Sequence, residues 1–192
     1  MEELQNRVKP MSAPDIASKG NAEALSASAE GGVPPEQIPS QQQFVNRYLD
    51  VERAVAAKLD ECLGKSHRIL WNRRLGGALY DAVLCSYDND EPDVIVEIKY
   101  IQKGFRYGWL WETATRVLAS TELYIAVTRR RAVGVVLVVL SSESVITSTL
   151  RSARDRVLEN LNKIQAEGKI ELIVEHELAD LPCSRLSFIV RR

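Results

Sequence analysis

Three charged side chains stand out in this 192-residue chain because of the company they keep. The run Asp93-Val94-Ile95-Val96-Glu97-Ile98-Lys99 is apolar apart from its charges. As a β-strand it places Val94, Val96 and Ile98 on one face and Asp93, Ile95, Glu97 and Lys99 on the other. Glu97 and Lys99 are then neighbours on a strand that reads as central. Upstream, Asp81 interrupts the apolar run Leu79-Tyr80-Asp81-Ala82-Val83-Leu84. Ionised groups are rarely buried in such strands unless they are paired or bound to metal. If the intervening turn folds the two strands together, Asp81 faces Glu97. Two close carboxylates repel, and a hard divalent cation removes that repulsion. A lysine beside them can hold a water or a phosphate oxygen. The competing reading is a structural salt bridge from Lys99 to Glu97 or Asp81.

The triplet Glu-x-Lys has little value by itself, since a chain with 27% charged residues matches it by chance roughly once at this length. Glu167-Gly168-Lys169 is such a match. It follows a helical pattern, contains a glycine and has no acid in a preceding strand, so a solvated loop is expected there. The copy at 97–99 differs in having an apolar strand, strict alternation, an upstream acid and a polar turn between them.

The elements that must position these residues can be read from periodicity. Phe44, Val45, Tyr48, Val51, Val55 and Leu59 recur at three- and four-residue steps, with Ser40 as N-cap and Gly64 as stop. That predicts an amphipathic helix from Gln41. Strands are expected at His67–Asn72, Ala78–Ser86 and Asp93–Tyr100, broken by Arg73-Arg74-Leu75-Gly76-Gly77 and by the turn 87–92. A helix is expected from Trp109 to Thr121, with Leu110, Ala114, Val117 and Leu118 inward. Leu123–Thr128 and Val133–Leu140 read as strands buried on both faces. A helix over Ser142–Glu167, with Leu150, Val157, Leu158, Leu161 and Ile164 inward, and late strands at Ile170–Glu175 and Leu186–Val190 complete the order. A helix between the third strand and the next allows those two strands to run parallel. The expected class is α/β, a mixed central sheet flanked by helices.

Residues 78–100, with Asp-x-Val at Asp81 and Val-Glu-Ile-Lys at 96–99, resemble the signature of the PD-(D/E)xK nuclease superfamily, the restriction endonuclease-like and Holliday-junction-resolvase-like enzymes. The acids lie sixteen positions apart, within the range of such hairpins. The order helix, three-stranded meander, helix, strand over about 41–140 is similar to that family's α-β-β-β-α-β core. The resemblance implies that Asp81 and Glu97 bind Mg2+ or Mn2+ and that Lys99 orients or activates the attacking water. It also implies that Glu52 on the first helix is a further acid near the metal, an exposed helix acid being the plainer reading. It implies a nuclease acting on DNA, with RNA as the other substrate class, and allows a homodimer. The alternative is a nuclease-like fold without catalysis, serving as a nucleic-acid-binding or protein-assembly module. Tyr80 stands where the family often has proline. The helix after Lys99 lacks the Gln-x-x-x-Tyr of the recombination-exonuclease branch, which is therefore not supported.

Composition bounds these readings. With 25 basic and 26 acidic side chains, strong non-specific binding to nucleic acid is not expected. A local basic surface remains open: Arg73, Arg74, Lys103 and Arg106, with Arg129-Arg130-Arg131, are its candidates, the rival being solvated loops. Trp109 and Trp111 can stack on bases or pack in the core. The cysteines, Cys62, Cys85 and Cys183, are odd in number and widely spaced, so reduced thiols of a cytoplasmic protein are expected rather than a disulfide or a zinc site. Two histidines, His67 and His176, do not make a multi-histidine metal site, and Gly76-Gly77 is not a phosphate loop because no Gly-Lys-Ser/Thr follows. The longest apolar run, Ala132–Leu140, is too short to cross a membrane. Residues 1–40, rich in Ala, Ser, Glu, Pro and Gly, read as a disordered or partner-docking tail, and 41–192 as a single domain.

Overall fold

The computed structural model describes residues 8–12, 14–16, 18–19, 41–101, 105, 107–141, 148–164, 166–175 and 183–184, with backbone alone for 41–45 and 175. Its elements are β1 (Lys9–Pro10), α1 (Gln41–Leu63), β2 (His67–Leu75), β3 (Ala78–Ser86), β4 (Asp93–Ile101), α2 (Tyr107–Thr128), β5 (Ala132–Leu140), α3 (Ser148–Leu161) and β6 (Lys169–Glu175). The six strands form one mixed sheet in the order β1-β2-β3-β4-β5-β6. β1 to β4 are antiparallel, whereas β4, β5 and β6 run parallel, with α2 and α3 as the crossovers. The protein is thus α/β, with helices flanking a mixed sheet.

Burial explains why each run takes its place. Val55, Leu59 and Leu63 of α1 pack on Val94, Val96 and Ile98 of β4 and on Val133, Val135, Leu137 and Val139 of β5. Val136 and Val138, which alternate with these, point to the opposite face, against Leu110, Ala114 and Val117 of α2 and Val157 and Leu161 of α3. All nine residues of β5 are buried, as expected of a strand covered on both faces. α1 stops at Gly64, where a Cβ would lie 2.5 Å from the Asp60 carbonyl oxygen. Gly76, at φ +59°, supplies the left-handed residue of the tight β2–β3 turn.

Several expectations are corrected. β2 does not break at Arg73; it continues to Leu75, and Arg73 and Arg74 are strand residues opposite Tyr80 and Leu79. Leu123–Thr128 is not a strand but the last part of α2. A short, fully apolar run does not distinguish a strand from a buried helix. Here Tyr124 is wholly buried, and Thr121 and Thr128 return their hydroxyls to the carbonyls of Val117 and Tyr124 at 2.8 and 2.7 Å. α3 ends at Leu161, leaving Ile164 outside the helix and 41% exposed. Cys62 and Cys183 form a disulfide, with Cα atoms 5.0 Å apart across 121 positions of sequence; only Cys85 is a free, buried thiol among the described residues. Residues 8–12, expected in the tail, pack on the domain: Val8 and Met11 are buried, Lys9 and Pro10 pair with Arg74 and Arg73, and the Met11 N–H reaches the Asn72 carbonyl at 2.9 Å. Pro10, which has no N–H to give, suits this edge strand. No helix among the described residues is long and apolar enough to cross a membrane. Ser40, Lys103, Arg106, His176, the expected strand at 186–190 and most of 1–40 lie outside the described residues.

Candidate active site

Asp81 lies where the sheet ladder is interrupted on both sides. The β2–β3 register passes from Trp71↔Ala82 to Arg73↔Tyr80 without an Asn72–Asp81 pair, and Asn72 has φ +48°. The β3–β4 ladder runs only over Ala82↔Val96, Val83↔Ile95 and Leu84↔Val94. One step further, Asp81 stands across from Glu97. There the Asp81 carboxylate replaces a backbone partner: Oδ2 accepts the Ile98 N–H at 2.6 Å. Asp81 is 1% exposed.

Glu97 and Lys99 occupy the same face of β4, and their Oε1 and Nζ are 2.8 Å apart. Arg116 of α2 gives Glu97 Oε1 a second cation at 3.0 Å. The salt bridge weighed as the competing reading is therefore present, on a strand paired on both sides. Glu52 of α1 is also in the cluster and is not a surface acid, its side chain being 17% exposed.

The residue that sequence reasoning missed is Lys19. Its Nζ contacts Asp81 Oδ1, lies 3.3 Å from Glu52 Oε1 and 5.8 Å from the centre of the Tyr48 ring. A lysine in a stretch of Ala, Ser and Gly carries no signal of its own. Asp81, Glu97 and Glu52 are thus matched by Lys19, Lys99 and Arg116, three charges of each sign.

The electrostatics follow from this crowding. Burial, and then the nearby Glu97 charge, push the Asp81 carboxyl up to about 7, against the pull of Lys19 and Lys99. For Glu97 burial acts upward too, but Lys99 and Arg116 outweigh it and hold the group below its usual range. Burial disfavours the Lys19 charge, yet Asp81 and Glu52 overcome it and keep the ammonium protonated. A cavity of about 440 Å³ opens beside the cluster; Lys19, Glu97, Arg116, Tyr80 and Asp15 are among its lining residues, and Asp81 is not.

The donor set of Asp81, Glu97 and Glu52 is all oxygen and suits a hard divalent ion. Even so, the three carboxylates do not gather as a ligand group within 4.8 Å of one another; among the described residues only Glu61, Cys62 and Cys183 do, and two of those are joined in a disulfide. The space between Asp81 and Glu52 is taken by the Lys19 ammonium.

The basic residues divide. Arg74 reaches Asp15 at 3.6 Å, on the rim of the cavity, and Arg73 is a half-buried neighbour on β2. Arg130 is not a free phosphate ligand: Nε and Nη2 bind the two oxygens of the fully buried Asp93 at 2.6 and 2.9 Å. Arg131 Nη1 donates to the Asp90 carbonyl at 3.2 Å. Trp109 and Trp111 both pack against the α2–α3 core, Trp111 stacking with Tyr107 at 6.4 Å. Glu167 and Lys169 of the decoy triplet are exposed. The chain matches no protein-family model and no curated protein.

Proposed function

We propose that the protein is a metal-dependent nuclease of the PD-(D/E)xK type, hydrolysing phosphodiester bonds in DNA. The observation that carries this reading is the convergence of Asp81, Glu97 and Lys99 at the place where β3 and β4 part, with Glu52 alongside. The element order α1-β2-β3-β4-α2-β5 agrees with the core such enzymes share. Asp81, Glu97 and Glu52 would hold Mg2+ or Mn2+, which when bound supplies a lowered water pKa and charge stabilisation on the phosphate. Lys99, 2.8 Å from Glu97, orients a water at that carboxylate. Arg116, whose side chain is 57% exposed and lines the cavity, receives a phosphate oxygen while keeping Glu97 ionised.

A second reading has its own support. With Lys19 against Asp81 and Glu52, and Arg130 and Arg131 engaged at the β3–β4 turn, the fold also suits a catalytically silent binding or assembly module. Incubation of the full chain with linear, nicked and branched DNA and with RNA, in Mg2+ or Mn2+, separates the two. Cleavage by the wild type and a roughly hundredfold slower Lys99→Ala variant are expected of the nuclease. Equal behaviour of wild type and Lys99→Ala on every substrate removes the catalytic reading.

A further inference from the structure

The segment that delivers Lys19 has the local construction of a docking arm. Val8 and Met11 are its buried anchors, Lys9 and Pro10 its two sheet pairs, and the Met11 N–H its bond to β2. Ser12 and Asp15 then cap the turn at 14–16 reciprocally: Asp15 Oδ2 accepts the Ser12 N–H at 3.1 Å, and Ser12 Oγ accepts the Asp15 N–H at 3.3 Å. Asp15 is tied to Arg74 at 3.6 Å. These contacts set the direction in which the chain reaches the acids. At its end the Lys19 side chain, 11% exposed, bridges Asp81 of β3 and Glu52 of α1.

An ammonium and a divalent cation cannot share those oxygens. With Lys19 in place the cluster has three carboxylates and three cations, so an added divalent ion meets no net negative charge. With Lys19 withdrawn the Asp81 and Glu52 carboxylates lose their ammonium partner, and with all three acids ionised the cluster carries one excess negative charge, which attracts a hard cation strongly at low dielectric. Two sheet pairs and two apolar anchors hold the arm, so the cost of releasing it opposes metal binding without forbidding it.

We propose that residues 8–19 are a built-in plug, in which Lys19 closes the carboxylate site and divalent metal binds only as the arm leaves. This inference rests on the metal site proposed above. It makes metal binding and arm docking mutually exclusive, so the apparent metal affinity is the affinity of the open form scaled down by the fraction of molecules whose arm is open.

The test uses the full chain after EDTA treatment, with Mn2+ as the probe. Free Mn2+ is followed by its paramagnetic resonance signal in wild type, Lys19→Ala, Lys19→Met and, to identify the site, Asp81→Asn. Amide hydrogen exchange at Met11 is followed in wild type with and without Mn2+. The expected result is roughly tenfold tighter Mn2+ binding in both Lys19 variants, together with faster Met11 exchange in wild type when Mn2+ is added. Equal affinity of wild type and the Lys19 variants, with Asp81→Asn weaker, overturns the plug and leaves the metal site standing. Tighter binding by the variants without a change at Met11 overturns release of the arm. No Mn2+ binding sensitive to Asp81 in any form brings down the metal site and the plug together. Should the Lys19 variants fail to fold, the Met11 exchange of wild type still decides: unchanged exchange with the Asp81 site loaded is incompatible with a plug.

Discussion

The Asp81 carboxylate takes the backbone N–H of Ile98 at 2.6 Å, at the point where β3 and β4 stop pairing through their backbones. The same side chain is therefore a structural acceptor and a candidate metal ligand, and substitutions can separate the two roles. Asp81→Asn keeps an oxygen for the Ile98 N–H, and its unfolding free energy in urea is expected within about 1 kcal/mol of wild type, with the proposed nuclease activity and Mn2+ binding lost. Asp81→Ala leaves a buried donor unmet and Lys19 short of a partner. It is expected to lose about 1–3 kcal/mol as well as activity.

The Asp93–Arg130 pair predicts a larger stability effect at a site with no catalytic assignment. Asp93 is fully buried and also accepts from Tyr124 at 2.8 Å and the Ser86 N–H at 2.8 Å. Arg130→Ala leaves that carboxylate uncompensated, for a loss of about 3 kcal/mol and a melting midpoint lower by roughly 6–12 °C. Calorimetry checks this, and the proposed DNA cleavage is expected to persist at a permissive temperature.

The disulfide ties the end of α1 to residue 183 and closes a long loop. Reduction, or Cys62→Ser, is expected to lower stability by about 2–4 kcal/mol. Thiol titration in denaturant tests the pairing itself: one thiol, Cys85, is expected for the oxidised protein, and all three cysteines after reduction.

His67 predicts a pH dependence. It is 1% exposed, and burial, the largest influence, lowers its pKa below the usual value. Below about pH 6.5 the unfolded chain takes up a proton on this ring that the folded chain resists, so stability falls as pH drops through and below that value. Urea midpoints at pH 7.5 and 5.5 are expected to differ more for wild type than for His67→Gln. Equal differences mean that other groups dominate the acid side.

What was legible in the sequence is what depends on neighbours along the chain. The seven- and four-residue steps of Tyr48, Val55, Leu59 and Leu63 specify α1, and the alternation of Val94, Val96 and Ile98 places Glu97 and Lys99 together on the opposite face of β4. An acid in an apolar strand marks Asp81 as needing a partner, because an unpaired buried charge is too unfavourable to keep. The all-apolar run Leu123–Thr128 was ambiguous, since local pattern does not distinguish a buried strand from a buried helix.

Only the tertiary structure decided who those partners are. Lys19 meets Asp81 across 62 positions and Glu52 across 33, Cys62 meets Cys183 across 121, and Arg130 is drawn from a basic run to Asp93. None of these pairs has a periodicity to betray it. The sequence by itself determined which side chains on β3 and β4 would need charge compensation. Packing of the edge strand and of α1 around them determined that an ammonium from the N-terminal arm supplies it, because electrostatic partners are chosen by distance in space and not by spacing along the chain.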